Sequence, residues 1–311
     1  WEQTARSFIE GCLSHTGLSH TQAVELWDRV ASFSGFSFCK SHSAGYAQLS
    51  FKCSYLKAYY PAQFLAAVIS NNHGYYSKSL YLDEARRWGI RILPMNINES
   101  HVKYWGKHTW MRPGFMHIRN LSIHSRERII HERHHGRFHN LIDFVKRIRI
   151  GRKEVESLIL VGAFDGFGQT RPELLYTLDG IYQTIQSEQP SLFENEIVYR
   201  ENTLHPGLTN YTHAQRCLDE LHLLGYMLSG NILEILDLHP SARDAVPARD
   251  IPRFAGKRVK VFGWPITQRI HHTTLSGKPM MFIMIEDKTE CVDIILWPRI
   301  FEKSRDILAE N

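Results

Sequence analysis

The chain has 311 residues, of which 43% are hydrophobic and 22% charged, a composition typical of a globular protein with two or three domains. No apolar run reaches the roughly 18 residues of a membrane span, and no signal peptide is recognisable. Five scattered cysteines without a CxxC pair indicate reduced thiols in a cytoplasmic protein.

Positive charge is concentrated in two segments, although the net charge is only +5. Residues 119–153 carry ten Lys and Arg side chains, and residues 251–285 carry six with no Asp or Glu. Two separate basic segments predict a polyanionic partner that contacts more than one domain. The alternative for either segment is an ordinary solvated charged surface.

The first ninety residues are predicted to be helical. "TQAVELWDRVASF" has the spacing of one apolar helix face, and Pro61 opens "PAQFLAAVISNN" at the favoured first helical position. Ser77 can cap "KSLYLDEARRW" and Gly89 can end it. "IRILP" then predicts a short strand, and "TWMRPGFMHI" one limb of a β-hairpin.

Short helices joined by brief turns are predicted from residue 122 onward, in the style of compact helical hairpins. Their sequences are "SRERIIHERH", "NLIDFVKRI", "KEVESLILVGAFDGFG" and "RPELLYTLDGIYQTI". Residues 186–211 lack periodicity and contain Pro190, Pro206 and Gly207, which predicts a linker. "HAQRCLDELHLLGYML" then predicts an amphipathic helix that stops near Ser229 and Gly230.

The C-terminal segment changes to β-structure. Three strand-like runs are separated by turn signals at Ser276-Gly277 and Asp287-Lys288, and "RIFEKSRDIL" returns to helix. Three strands followed by a helix are the first part of a five-stranded OB-fold, which predicts a partial barrel without its last two strands.

The histidine-rich stretch "HERHHGRFH" raises the question of a metal site. It lacks two clear ligand pairs on one face of a helix, which favours a solvated, partly basic helix over a metal site.

The stretch "FSFCKSHSAGYAQLSFKCSYLKAYYPAQFLAAVIS" resembles the end of the fingers domain in the alpha subunit of bacterial DNA polymerase III. "YLDEARRWGIRILPMNINES", "LILVGAFDGFGQTRPELL", "LDELHLLGYMLSG" and "GKPMMFIMIEDKTECVDIILWPRIFEK" resemble later parts of that family in the same order. The matching fingers residues are Lys40-Ser41-His42, Gly45-Tyr46-Ala47, Tyr60-Pro61-Ala62 and Phe64.

This resemblance implies a multidomain, mainly α protein with a C-terminal β part. The implied segments are the end of the fingers (1–110), a helix-hairpin-helix region (111–185), a linker with a clamp-binding peptide (186–211), a connecting helical segment (212–250) and a partial OB-fold (251–311). The metal-binding palm of such a polymerase is expected before Trp1, since no Asp-x-Asp pair here can replace it. Mg²⁺ is therefore expected in that palm, and this chain alone is expected not to polymerise DNA.

The fingers resemblance implies that Lys40, His42 and Tyr46 lie near the incoming nucleotide. A lysine at a helix N-terminus is suited to a phosphate group. The alternative is that Ser41 only caps the helix and Lys40 is solvated.

The helix-hairpin-helix resemblance implies DNA-backbone contacts at Arg119, Arg126, Arg133, Gly162, Gly166 and Arg171. Asn120 and Ser122 stand where the family's first hairpin has glycines, and side chains there restrict a tight turn. The second hairpin is predicted at residues 162–168, which contain three glycines. A packing turn is the alternative for that segment.

The OB resemblance implies contacts with single-stranded template, for which Arg269 and Lys278 are the preferred residues. Aromatic platforms for bases usually accompany such basic residues.

The peptide "QPSLF", Gln189 to Phe193, matches the family's sliding-clamp motif of Gln, two variable residues, Leu and Phe. The resemblance implies that Leu192 and Phe193 enter apolar pockets of the clamp while Gln189 makes directional hydrogen bonds. The alternative is that the two apolar side chains pin the linker to a neighbouring domain.

The implied partners are primer–template duplex, single-stranded template, the incoming dNTP, the sliding clamp and other replicase subunits, without a membrane. The implied location is the bacterial cytoplasm at the nucleoid. An error-prone translesion paralogue and a non-catalytic accessory protein that binds DNA or the clamp remain alternatives.

Overall fold

The computed structural model describes residues 2–32, 40–71, 76–187, 207–236, 243–274 and 276–309. The chain forms two compact units, Trp1–Tyr59 and Tyr60–Asn311. The boundary between them falls inside the predicted segment 1–110, and the predicted domain limits stay predictions.

The first unit contains three helices: α1 (Glu2–His15), α2 (His20–Ser32) and α3 (Lys40–Tyr59). Helices α1 and α2 pack together, with the rings of Phe8 and Trp27 5.4 Å apart between centroids. Cys12 and Ala23 are the buried residues of that pair. Helix α3 buries none of its described side chains.

The second unit is built on one continuous apolar core, which runs from Ala62 to Leu228. Phe144 and Phe164 are fully buried in it, with ring centroids 5.0 Å apart. Before the C-terminal sheet, this unit contains α4 (Pro61–Ser70), α5 (Lys78–Arg87), β1 (Arg91–Ile92), β2 (Trp105–Lys107), β3 (Trp110–Arg112), α6 (Ile123–Glu132), α7 (Leu141–Ile148), α8 (Arg152–Leu160), α9 (Arg171–Ser187), α10 (His213–Leu224) and α11 (Ile232–Leu236).

Local capping signals set most helix ends as predicted. Pro61 opens α4, and the Ser77 hydroxyl accepts the Leu80 amide at the start of α5. Gly89 follows α5 in the left-handed conformation, with φ +72°. The predicted end of α10 near Ser229 is wrong, because Gly225 takes a left-handed conformation, with φ +82°, and stops the helix at Leu224.

A small sheet supports the region before the hairpins. Strand β1 pairs parallel with β3, and β2 pairs antiparallel with β3. Strand β2 approaches α4 so closely that a Cβ at Gly106 would lie 2.2 Å from the Ala62 carbonyl oxygen. Only glycine fits at this contact.

A polar cluster then joins the residue before β2 to the segment that follows α10. The hydroxyls of Tyr104 and Tyr226 are 2.7 Å apart, and His117 Nδ1 lies 2.8 Å from the Tyr226 hydroxyl. Burial, reinforced by Lys78 and Arg126, lowers the pKa of His117 to about 4. The neutral His117 ring thereby attaches the start of the first hairpin region to Tyr226.

The C-terminal β part forms an antiparallel sheet in the order β4 (Trp264–His272), β5 (Pro279–Glu286) and β6 (Cys291–Leu296). Helix α12 (Pro298–Ala309) follows and packs on β5. The predicted mainly α fold with a C-terminal β part is confirmed, and the sheet is consistent with a partial OB-fold. In the described ranges the strands do not close into a barrel, and none of the helices is long and apolar enough to cross a membrane.

Glu286 joins this sheet to α5 through a buried carboxylate. It is 4% exposed, and Arg87 Nη1 lies 3.6 Å from its Oε2, an ion pair beyond hydrogen-bond distance. Burial and repulsion from Asp83 raise the pKa of Glu286 to about 7, although the attraction of Arg87 acts in the opposite direction.

The raised pKa of Glu286 predicts a pH-dependent stability. The folded state holds the Glu286 proton more tightly than the unfolded chain does. The contribution of protonated Glu286 to stability is therefore fully present below the ordinary pKa of 4.5, and it is lost as the pH rises through about 7. We therefore expect Glu286→Gln to stabilise the second unit by about 3 kcal/mol at pH 8 and to have little effect near pH 4. Urea unfolding at both pH values tests this, and an equal effect at both would contradict it.

Candidate nucleic-acid interface

The first hairpin turn lies between a short 3₁₀ turn at Phe115–His117 and helix α6. Asn120 takes the left-handed conformation, with φ +66°, which Asn tolerates better than most residues. Leu121 is buried, and Ser122 caps α6 by accepting the Ser125 amide at 3.1 Å. The turn forms without glycine, so Asn120 substitutes for it.

A second turn with the same design joins α7 to α8. Arg149 is left-handed, with φ +52°, Ile150 follows, and Gly151 is the N-cap of α8. Both turns thus consist of a left-handed residue, an apolar residue and a small N-cap. This second hairpin lies ahead of the predicted one at residues 162–168.

Glu154 joins the two turns. Its Oε1 accepts the Ser122 amide at 2.9 Å and the Ser125 hydroxyl at 2.7 Å, while its Oε2 accepts the Gly151 amide at 3.2 Å. One carboxylate therefore binds the N-cap amide of α6 and that of α8, and it fixes the spacing of the two helix starts.

The pKa of Glu154 reflects this position. Burial alone would raise it, but the hydrogen bonds from Ser122, Ser125 and Gly151 outweigh burial and lower the pKa. The carboxylate is therefore held in its charged form, and its charge favours both helix N-termini.

Basic side chains flank both turns. Arg119, directly before Asn120, is exposed, and its amide donates to the Leu223 carbonyl at 2.8 Å. Lys153, in the first turn of α8, is exposed, whereas Arg152 beside it pairs with Asp179. Arg119 and Lys153 are thus exposed cations beside the two helix starts, and Arg149 within the second turn is exposed as well.

Two of the predicted DNA-contacting arginines donate to backbone carbonyls, Arg126 within the first hairpin and Arg133 outside it. Arg126 Nη2 donates to the Leu121 carbonyl at 2.7 Å, and Arg133 Nη1 donates to the Ile97 carbonyl at 3.2 Å. Both are partly buried, and desolvation lowers the pKa of each. Their DNA contacts stay predictions, but these geometries indicate a supporting role.

The structure favours packing over DNA contact for the glycine-rich segment after α8. Gly162 has φ +81°, and a Cβ there would lie 2.3 Å from Arg171 Nη2. Arg171 is 2% exposed and donates to both Asp165 oxygens and to the Leu160 carbonyl. The DNA contact of Arg171 stays a prediction, but a buried guanidinium held in these bonds favours the packing alternative. Gly162 and Gly166 shape the same turn.

The predicted template residues lie on the surface of the C-terminal sheet. Arg269 on β4 is exposed and pairs across the strands with Phe282, whose ring is 39% exposed. The ring of His271 lies 6.5 Å from that of Phe282, and Lys278 is exposed in the turn before β5. A basic residue beside an exposed ring has the chemistry of a single-strand contact.

The predicted nucleotide residues lie on the first two turns of α3. Lys40, His42 and Tyr46 are exposed, and the rings of His42 and Tyr46 are 4.5 Å apart between centroids. The clamp residues Gln189, Leu192 and Phe193 lie outside the described residues.

Comparison with known proteins bears on this geometry. A family model described as a helix-hairpin-helix motif matches residues 89–174, which include both hairpin turns and Glu154. The whole chain aligns with the DNA polymerase III subunit alpha of Staphylococcus aureus strain Mu50, at 28% identity over 320 residues. The resemblance to bacterial DNA polymerase III alpha subunits is confirmed.

A second alpha subunit, from Borreliella burgdorferi strain B31, aligns at 28% identity with 98% of the chain. The chain spans 29% of the Staphylococcus protein and 28% of the Borreliella protein. The similarity therefore concerns a limited part of the DNA polymerase III alpha subunits, and it includes the helix-hairpin-helix region.

The sequence interpretation missed the turn at residues 149–151 and the role of Glu154. Only half of a capping-box signal was present, because Glu154 lies three residues after Gly151 but glycine lacks the side chain that completes the box. The left-handed Arg149 gave no signal, because arginine is not a residue associated with that conformation.

Proposed function

We propose that this chain is the DNA-holding part of a DNA polymerase of the polymerase III alpha type, and that it binds the duplex backbone through its two hairpin turns. The observation that carries this proposal is the pair of matching turns whose N-cap amides share the Glu154 carboxylate. Hairpins of this kind present the first amides of a helix to phosphate oxygens, largely independently of sequence.

Binding at the hairpins would rest on backbone amides and on flanking cations. Arg119 and Lys153 would each neutralise a phosphate beside one helix start. The fixed spacing of the two helix starts would let one DNA backbone contact both turns together.

The remaining surfaces extend the proposal to the other ligands of such an enzyme. Lys40, His42 and Tyr46 would lie near the incoming dNTP, and Arg269 and Lys278 would bind single-stranded template next to Phe282. Gln189, Leu192 and Phe193 would bind a sliding clamp, while other replicase subunits would be further partners. Mg²⁺ would act in the palm of the polymerase, at the bacterial nucleoid in the cytoplasm.

The salt dependence of duplex binding tests the proposal. We expect the affinity to fall steeply with salt, with about 0.9 counterions released per phosphate contact. Arg119→Ala and Lys153→Ala should each reduce the slope of log affinity against log salt by about 1.

Lys107→Ala is the matched control, because Lys107 is an exposed lysine on β2 and belongs to neither hairpin. Its slope should equal that of the unaltered chain. If the unaltered chain and all three variants have equal slopes, the hairpins are not the surface that binds DNA.

A further inference from the structure

The end of α6 carries a cluster of potential metal ligands that lies outside the proposed DNA surface. One ligand atom from each of His131, Glu132 and His135 lies within 4.8 Å of the others. Glu132 Oε2 is 3.8 Å from His135 Nδ1, and the rings of the two histidines are 5.5 Å apart between centroids. Both histidines are exposed.

We propose that His131, Glu132 and His135 bind a divalent transition-metal ion of the zinc class. Two imidazoles and one carboxylate are a ligand set suited to Zn²⁺. Water would complete a four-coordinate site, since the cluster lies at the surface. The proposal is independent of the DNA-binding function.

The geometry requires only small side-chain movements. A tetrahedral ion with ligands at about 2.0–2.2 Å holds its donor atoms roughly 3.3–3.5 Å apart. The distance of 3.8 Å between Glu132 Oε2 and His135 Nδ1 is only slightly longer than this spacing. Exposed histidine rings can complete the approach by rotation.

The cluster lies where the helix type changes. Helix α6 ends at Glu132, and Arg133–His135 form a 3₁₀ turn. In a 3₁₀ turn, residues three apart lie above one another, which aligns Glu132 with His135. His131 and His135 are four apart, as on one face of an α-helix.

Surrounding groups orient Glu132 and limit repulsion of a cation. Arg147 Nε lies 3.4 Å from Glu132 Oε1, which turns Oε2 toward His135, and Arg147 is itself paired with Asp143 at 3.5 Å. Arg133 donates to the Ile97 carbonyl, and Arg137 pairs with Glu99. The carbonyl end of α6 adds a favourable partial negative charge.

Zinc titration of the whole chain tests the site. After treatment with a chelator, the chain is titrated with Zn²⁺ by calorimetry, and Co²⁺ absorption is recorded as a geometric probe. We expect a site of one ion per chain that His131→Ala or His135→Ala weakens at least about tenfold. Glu132→Gln should weaken it as well.

His134→Ala is the matched control, because His134 is exposed and lies between the ligands without belonging to the cluster. Its Zn²⁺ affinity should equal that of the unaltered chain, while all variants keep the same unfolding midpoint without metal. Absence of zinc binding in the unaltered chain overturns the proposal. The proposal is also overturned if the ligand variants bind Zn²⁺ as tightly as the unaltered chain, or if His134→Ala weakens Zn²⁺ binding as much as they do.

Discussion

Replacement of Glu154 by alanine is expected to destabilise the second unit by about 3 kcal/mol and to weaken duplex binding at both hairpins. The carboxylate accepts hydrogen bonds from two N-cap amides and one hydroxyl, and bonds to a charged group contribute roughly 1.5–3 kcal/mol each when fully buried. Partial exposure of Glu154 reduces that sum. Urea unfolding measures the first effect, and fluorescence anisotropy with labelled duplex measures the second.

Glu156→Ala is the control for this variant, because Glu156 lies on the same helix with the same charge and makes none of these bonds. We expect its effects on stability and on DNA affinity to be small. Glu154→Gln should fall between Glu154→Ala and the unaltered chain, since the amide keeps one acceptor. If both alanine variants behave alike, Glu154 does not hold the hairpins together.

The lowered pKa of Glu154 adds a pH criterion. Because the folded state favours the charged carboxylate, its contribution to stability is present above the ordinary value of 4.5 and is lost as pH falls through the lowered folded pKa. The stability difference between the unaltered chain and Glu154→Ala should therefore shrink in acid.

The double variant Leu192→Ala and Phe193→Ala is expected to weaken binding of the chain to a bacterial sliding clamp at least about 100-fold. Burial of two such side chains contributes about 1.5–3 kcal/mol each, and about 1.4 kcal/mol corresponds to a tenfold change in affinity. We expect the unaltered chain to bind with roughly micromolar affinity. Surface plasmon resonance with immobilised clamp measures both.

Ser191→Ala is the matched control for the clamp prediction, because it changes a variable position within the same pentapeptide. It should bind the clamp like the unaltered chain. Equal binding by the double variant would return Leu192 and Phe193 to a packing role in the linker.

The elements that the sequence predicted well are those set by neighbouring residues. Pro61, Ser77 and Gly89 act within one turn of their own helix, and each has the predicted role. The turn signals at residues 276–277 and 287–288 likewise separate the three C-terminal strands. Short-range chemistry of this kind can be read from a window of a few residues.

The parts that the sequence did not predict depend on distant contacts. Glu154 binds an amide 32 residues away, which no local pattern encodes. Arg171 looked like a surface cation, but its partner Asp165 and the adjoining Gly162 bury it. The end of α10 was missed for another reason, because the apolar pattern that continues through Met227 and Leu228 outweighed the local glycine signal at Gly225.

Amide hydrogen exchange of the chain with and without duplex DNA tests the central claim most directly. The first amides of α6 and α8 lack partners within their helices and would face the phosphates. We predict slower exchange on DNA binding at residues 119–124 and 149–153, and no change at residues 162–171. Slower exchange at residues 162–171, with both hairpin turns unchanged, would contradict the account.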